Sequence, residues 1–255
     1  MIDLELTVIL TACVNPSAPV VRNDPAVRLA DYRAGLRFWL EHRDPRIRRI
    51  IFIENSGHPL DTLERTARAD NPRQRACEFI SLECNVLPPG LNYGYNEFQL
   101  LDLGLARSRL YAESPALVKA TGRYGFPSIS RLLDRLPTDC VFAGDSRDNH
   151  RFTPYPQRFT ASALLFFTRE FYERQIRTLY QTMAPPPAPR KQFIEDLLFD
   201  HLSPLRGQSG VVLRWPVNCD PAGIGANNDV YGSPRKRLLA AARAVGRRAF
   251  PDWWF

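Results

Sequence analysis

Short runs that are apolar at nearly every position constrain this chain more than any other feature. Leu6–Ala12 (LTVILTA), residues 47–53 (IRRIIFI), residues 78–82 and residues 116–120 (ALVKA) are such runs, and residues 140–143 (CVFA) add a fifth. Between them lie helical patterns. Residues 27–42 place Leu29, Tyr32, Leu36, Trp39 and Leu40 at helical spacing, and residues 60–69 form the next helix. A strand apolar throughout has both faces covered, whereas one with a wet face alternates. The pattern therefore predicts an α/β protein with a largely parallel central sheet and helices on both sides. In such sheets ligands sit beyond the carboxyl ends of the strands, so the strand-end residues are the first place to look for chemistry.

The remaining segments fit the same architecture. A helix is expected to open at Gly94-Tyr95-Asn96-Glu97, with Asn96 as its cap and backbone N–H groups at its start, and to run through EFQLLDLGLARSRLYA. Residues 159–180 read as a strand followed by a helix, residues 184–189 (APPPAP) as a break, and residues 192–201 as a further helix. With 255 residues, 44% hydrophobic and 24% charged, the composition suits a single folded core. Residues 1–232 are expected to form that domain and residues 233–255 a basic helical tail. In the tail Arg235, Lys236, Arg237, Arg243, Arg247 and Arg248 face one acid, Asp252.

Formal charge is +7, which favours anionic partners such as nucleotide phosphates, lipid headgroups or nucleic acid. Five scattered cysteines with no C-x-x-C pair point to reduced thiols, and no apolar run reaches the roughly 18 residues that span a bilayer. The N-terminus lacks the basic n-region of a secretory signal, so the expected location is cytoplasmic. Glycine-rich phosphate and dinucleotide fingerprints are missing, as is the spacing of a nucleophile elbow. The four histidines show no metal-ligand spacing.

One strand end stands out. Lys119-Ala120-Thr121-Gly122-Arg123-Tyr124 brings a lysine, an arginine and a glycine to the edge of the sheet. A diphosphate is met by point charge from Lys and bidentate donors from Arg. The plainer reading of the same residues is a pair of salt bridges at a solvated strand end.

Together with LTVILTACVNP, IIFIENSG, GYNEFQLLDLGL and FIEDLLF, the VKATGRY segment resembles a family of bacterial polysaccharide glycosyltransferases with a GT-A-type, Rossmann-like nucleotide-sugar-binding fold. The resemblance spans residues 6–232, and K-x-TGRY is its most specific piece. It implies transfer of a sugar from a nucleotide sugar, a UDP-sugar in first place, to a hydroxyl of a surface polysaccharide or lipid-linked glycan, with inversion. It implies further that Glu195, with Asp196 as its alternate, is the base that deprotonates the acceptor. A helix-terminal acid pair favoured by the macrodipole is the ordinary reading of those two residues.

For the nucleotide and diphosphate, the implied contacts are Thr11, Glu54, Asn55, Gly94, Lys119, Thr121 and Arg123. Two chemical solutions neutralise the leaving diphosphate, fixed cations or a divalent ion. Lys119 and Arg123 fit the first, with no cofactor required. Asp145 and Asp148, after the fifth strand, fit Mg²⁺ or Mn²⁺. Residues 223–228 are either a loop closing over the sugar or surface. In the tail, Leu238, Leu239, Ala242 and Val245 gather on one helical side, so the enzyme is expected peripherally on an anionic membrane with Trp253, Trp254 and Phe255 at headgroup level. The other possibility for these leucines and tryptophans is packing on the domain. A non-enzymatic nucleic-acid-binding protein is the competing function, resting only on the net charge and the tail.

Overall fold

The computed structural model describes residues 4–17, 19–148, 158–185, 187, 192–225, 228, 230–231, 233–250 and 254, with the side chains of Arg235 and Arg237 left out of the description. The chain runs β1 (Leu6–Ala12), α1 (Pro25–Glu41), β2 (Ile47–Glu54), α2 (Asp61–Ala69), β3 (Ala76–Ser81), α3 (Gly94–Arg107), α4 (Arg109–Ala112) and β4 (Ala116–Thr121). It continues through α5 (Ile129–Arg135), β5 (Phe142–Ala143), β6 (Ser146–Asp148), β7 (Arg158–Thr160), β8 (Leu164–Thr168), α6 (Arg169–Phe171) and α7 (Ile194–Leu202). It ends with β9 (Val211–Val212), β10 (Gly223–Ile224), β11 (Val230–Tyr231) and α8 (Pro234–Ala249).

Seven strands form one sheet in the order β3-β2-β1-β4-β8-β5-β9. Within it β8 runs against its neighbours β4 and β5, while β3, β2, β1 and β4 are mutually parallel and β5 is parallel to β9. The α/β architecture with a largely parallel sheet is therefore the one the apolar runs demand. Both faces are covered: Val8, Leu10, Ile50 and Phe52 pack on one side with α1 and α2, and Ile9, Ile51, Ile53 and Leu117 pack on the other with α3 and α7. Strand order grows from β1 to β3 in one direction and then returns to place β4 on the other side of β1. That reversal opens a crevice beyond the carboxyl ends of β1 and β4.

Local chemistry sets the element ends. Asp24 caps α1, its Oδ1 accepting from the N–H groups of Ala26 at 2.8 Å and Val27 at 3.2 Å, with Pro25 in the first turn. Asn96 is not the cap of α3. The helix starts three residues earlier than expected, at Gly94, whose N–H donates to Asn92 Oδ1 at 3.1 Å. The expected continuation to residue 112 breaks at Ser108, which turns extended and caps α4 through its hydroxyl. The fifth strand is shorter than expected. After β8 the expected long helix is replaced by α6, a π turn at Tyr172–Ile176 and a 3₁₀ turn at Leu179–Thr182, the two turns separated by Thr178 at φ 62°. Part of the proline-rich segment, residues 226–227 of the possible closing loop, and Asp252, Trp253 and Phe255 lie outside the described residues.

The tail forms α8 as expected, but its contacts are polar. Arg247 donates to Asp145 at 2.5 Å and to the Trp215 carbonyl at 2.9 Å, and Arg243 meets Asp220 at 3.4 Å. Leu238, Leu239 and Val245 are exposed, so packing of these leucines on the domain is not what the structure shows. Trp254 instead docks on the domain, edge-on to Phe199 and beneath Arg206, and so departs from its expected place at headgroup level.

Candidate functional site

A cavity of about 200 Å³ occupies the crevice at the strand-order reversal. Its walls come from the ends of β1 (Thr11, Cys13), β2 (Asn55) and β4 (Thr121, Arg123), from α1 (Arg28, Tyr32), α3 (Glu97) and the first turn of α7 (Glu195). Glycines make that convergence possible. A Cβ on Gly35 would stand 2.1 Å from the Gly122 carbonyl oxygen, so only a glycine lets α1 lie against the turn that carries Arg123.

Two arginines line this cavity with no ion pair to a carboxylate among the described residues. Arg28 is 5% exposed and donates to the carbonyls of Cys13 at 2.7 Å and Arg22 at 2.9 Å and to the Tyr32 hydroxyl at 3.0 Å. Arg123 lies over the Tyr124 ring, 5.0 Å from its centroid, and its Nε is buried without a hydrogen-bond partner. A buried cation is costly unless an anion meets it; among the described residues neither arginine makes an ion pair, and the Glu97 carboxylate acts on Arg123 only through space. The cavity wall thus carries two guanidinium groups not tied up in ion pairs among the described residues.

Two carboxylates face the same space in different states. Glu97 Oε1 accepts from Lys119 Nζ at 2.6 Å, Thr11 Oγ1 at 2.8 Å and Thr121 Oγ1 at 3.2 Å. Burial alone would raise its pKa, but the Lys119 charge and these donors hold the carboxyl below the usual range. Among the described residues Glu195 Oε1 accepts one side-chain hydrogen bond, from Ser162 Oγ at 2.6 Å. Burial pushes its pKa up, and the nearby Glu97 charge adds to that, against the opposing effect of Ser162. The two carboxyls are thus pushed apart, Glu97 down by Lys119 and its donors and Glu195 up by burial, the arrangement from which acid–base roles are drawn.

Of the residues expected from sequence, Thr11, Asn55, Thr121, Arg123 and Glu195 come together here. The Thr11 and Thr121 hydroxyls are spent on Glu97 and so hold that side chain. Lys119 is fully buried beneath the cavity, bonded to Glu97 and to the Ser162 carbonyl at 2.6 Å, and does not present its ammonium to a diphosphate. Glu54 is likewise fully buried. It accepts from the backbone N–H groups of Val14, Ser56 and His58, lacing together the loops after β1 and β2 rather than meeting a nucleotide. Gly94 is a close-packing position, since a Cβ there would stand 2.3 Å from Ile194 Cγ2. Asp196 is not on the cavity wall.

The expected metal ligands are diverted into ion pairs. Asp145 is 2% exposed and is held by Arg147 at 2.7 Å and Arg247 at 2.5 Å, and Asp148 pairs with Arg158 at 3.2 Å. Among the described residues no group of three Asp, Glu, His or Cys side chains is placed to hold a metal ion. These residues do not fit Mg²⁺ or Mn²⁺.

Sequence reasoning missed Arg28, Tyr32, Glu97 and Ser162. Two of them carried a signal. Arg28 sits four residues before Tyr32 on the same inward stripe of α1 as Leu36 and Trp39, and Glu97 sits four before Leu101 on α3. A charge on a buried stripe needs a reason, and here the reason is the cavity.

No family model matches the chain, and no curated protein sequence matches it. Solved structures with a related outline include an active-site mutant of LgtC (TM-score 0.48, 14% identity, covering 81% of this chain and 72% of that one). Others are the apo WbbM bifunctional glycosyltransferase (0.47, 10%, 83% and 39%) and a 4-diphosphocytidyl-2C-methyl-D-erythritol synthase from Anaerococcus prevotii DSM 20548 (0.43, 11%, 94% and 96%). This chain thus spans well under half of the WbbM chain. At these scores the likeness describes a general outline and carries no functional weight.

Proposed function

We propose that this protein is a glycosyltransferase that moves a sugar from a nucleotide-sugar donor, a UDP-sugar in first place, to a hydroxyl of a surface polysaccharide or lipid-linked glycan. The observation that carries the reading is the pairing, in one crevice, of two arginines with no ion pair among the described residues and a carboxyl, Glu195, whose pKa burial pushes up. The resemblance of VKATGRY and its companion segments to bacterial polysaccharide glycosyltransferases points the same way.

In this reading Arg28 and Arg123 bind the diphosphate of the donor. Glu195 takes the proton of the acceptor hydroxyl as its oxygen bonds to the anomeric carbon. The bond from that carbon to the diphosphate oxygen breaks, and the diphosphate leaves with the electron pair, its growing charge met by the two guanidinium groups. A single displacement of this kind inverts the anomeric centre. Fixed cations do here what a divalent ion does elsewhere.

Location follows from α8. Its line of exposed Leu238, Leu239, Ala242 and Val245, with Arg248 exposed beside it, suits the interface of an anionic membrane, where a lipid-linked acceptor is found. No helix among the described residues is long and apolar enough to cross a bilayer. The competing nucleic-acid reading is weakened because Arg243 and Arg247 are engaged by Asp220 and Asp145.

The test is turnover. Purified protein is incubated with UDP-, GDP-, CDP- and dTDP-sugars and released nucleoside diphosphate is measured, with and without glycan acceptors. Release from one donor class, lost in Glu195→Gln, is expected. No release from any donor, with sequence-tolerant and salt-sensitive binding of nucleic acid, would replace this reading with its competitor.

A further inference from the structure

Lys119 is the buried joint between the two carboxylates. Its ammonium donates to Glu97 Oε1 at 2.6 Å and to the Ser162 carbonyl at 2.6 Å, and the Ser162 hydroxyl in turn donates to Glu195 Oε1 at 2.6 Å. One cation on β4 thereby sets the position of a carboxylate on α3 and, through the loop before β8, of another on α7. A surface salt bridge has no need of such a joint. Glu97 has its three hydrogen bonds on Oε1 and none, among the described residues, on Oε2, while its side chain remains 17% exposed on the cavity wall.

We propose that Glu97 is a second catalytic carboxylate, whose Oε2 accepts a hydroxyl of the sugar being transferred, and that Lys119 is the positioning residue that fixes it relative to Glu195. This rests on the nucleotide-sugar reading of the cavity. A carboxylate beside a diphosphate would repel its own substrate. The Lys119 charge removes that objection by cancelling the anion from below, leaving an oxygen able to orient a hydroxyl without making the floor net negative. Glu97 is fixed from three strand-end or strand positions, Thr11, Lys119 and Thr121, the rigidity a hydroxyl-orienting acceptor needs.

The groups that face Glu195 are Glu97 from α3, Lys119 from β4, Ser162 from the loop before β8 and the Tyr93 hydroxyl from the start of α3. Arg123 also faces Glu97. Removing the Glu97 charge therefore lowers the cost of ionising Glu195.

Two variants test this. Glu97→Gln keeps the shape and loses the charge. Lys119→Met/Glu97→Gln removes both charges and so leaves no unpaired ion buried, a safeguard against simple misfolding. Both are expected to melt cooperatively and to bind UDP within about threefold of the wild type, while kcat falls on the order of 100-fold. In Glu97→Gln the acid limb of the kcat/KM profile moves to lower pH. Wild-type kcat in Glu97→Gln, or its recovery in the double variant, would overturn the assignment by reducing Lys119 and Glu97 to a structural pair. Failure of the broader reading is seen separately, as absence of turnover in the wild type. In that case ¹³C NMR of glutamate-labelled protein still follows the Glu195 carboxyl, identified by its loss in Glu195→Gln. Movement of its titration to lower pH in Glu97→Gln supports the coupling, and an unchanged titration overturns it.

Discussion

The Ser162 hydroxyl donates a 2.6 Å hydrogen bond to Glu195 Oε1, and this contact lowers a carboxyl pKa that burial raises. A base works only when ionised, so the rate rises as pH climbs through the Glu195 pKa. Removing the Ser162 hydroxyl withdraws a donor from the ionised form and raises that pKa further. Ser162→Ala is therefore expected to move the acid limb of kcat/KM to higher pH, opposite to the shift expected for Glu97→Gln. Glu195→Gln should lower kcat by roughly 10²–10⁴-fold at every pH and leave donor affinity nearly intact. Steady-state kinetics across the pH range in which the protein stays folded read both outcomes.

Arg28 and Arg123 are expected to act on affinity and rate together, because the diphosphate gains charge as it leaves. Hydrogen bonds to a charged group are worth about 1.5–3 kcal/mol each, so Arg123→Ala should weaken UDP binding by roughly 10- to 150-fold, with a further loss in kcat. Activity should survive EDTA. EDTA-sensitive turnover restored by Mn²⁺ would place a metal where these guanidinium groups are assigned.

Asp145 supplies the complementary control. Its carboxylate is buried between Arg147 and Arg247, so Asp145→Ala strands two cations and should cost about 3–5 kcal/mol of stability. Calorimetric unfolding should show a large drop in Tm. Below that Tm the variant should bind nucleotide as the wild type does, which a metal ligand would not.

How much of this was legible in the sequence depends on periodicity. β1, β2 and β4 are apolar at nearly every position because both sheet faces are covered, and that is why they could be placed to within a residue or two. Arg123 and Glu195 were singled out through the expected resemblance of their segments, and the structure brings both to the cavity wall. The role of Lys119 was not. On β4 it shares a face with Leu117, the face toward α3, so the period of two already placed it inward. Its partner Glu97 lies 22 residues earlier on a helix, however, and no spacing rule joins the two. Glu54 misled for the opposite reason. A polar strand-end residue looks the same in sequence whether it faces a ligand or laces two loops together, and only the Val14, Ser56 and His58 N–H groups decide it.

Gly94 links packing to chemistry. Gly94→Ala would drive a Cβ into Ile194, the residue before Glu195, at a cost of about 1–3 kcal/mol for overpacking. The expected result is a lower Tm together with a kcat loss larger than any loss of donor affinity, since α7 moves while Arg28 and Arg123 stay. Equal losses of kcat and affinity would mean that the displacement spreads through the whole cavity.

At the membrane, the exposed stripe of α8 makes a separable prediction. Wild-type protein should pellet with anionic vesicles at low salt and release at high salt, and Leu238→Glu/Leu239→Glu should stay in the supernatant while keeping wild-type turnover of a soluble acceptor. Equal pelleting of the variant would remove α8 as the contact.

The most direct measurement of the central claim is calorimetric titration of the protein with UDP, GDP, CDP and dTDP, repeated on Arg28→Ala and Arg123→Ala. The account predicts saturable binding of one nucleoside diphosphate, UDP before the others, in the presence of EDTA and at least tenfold weaker binding in each arginine variant. Heats that show no binding of any nucleotide, or binding that neither arginine affects, would contradict it.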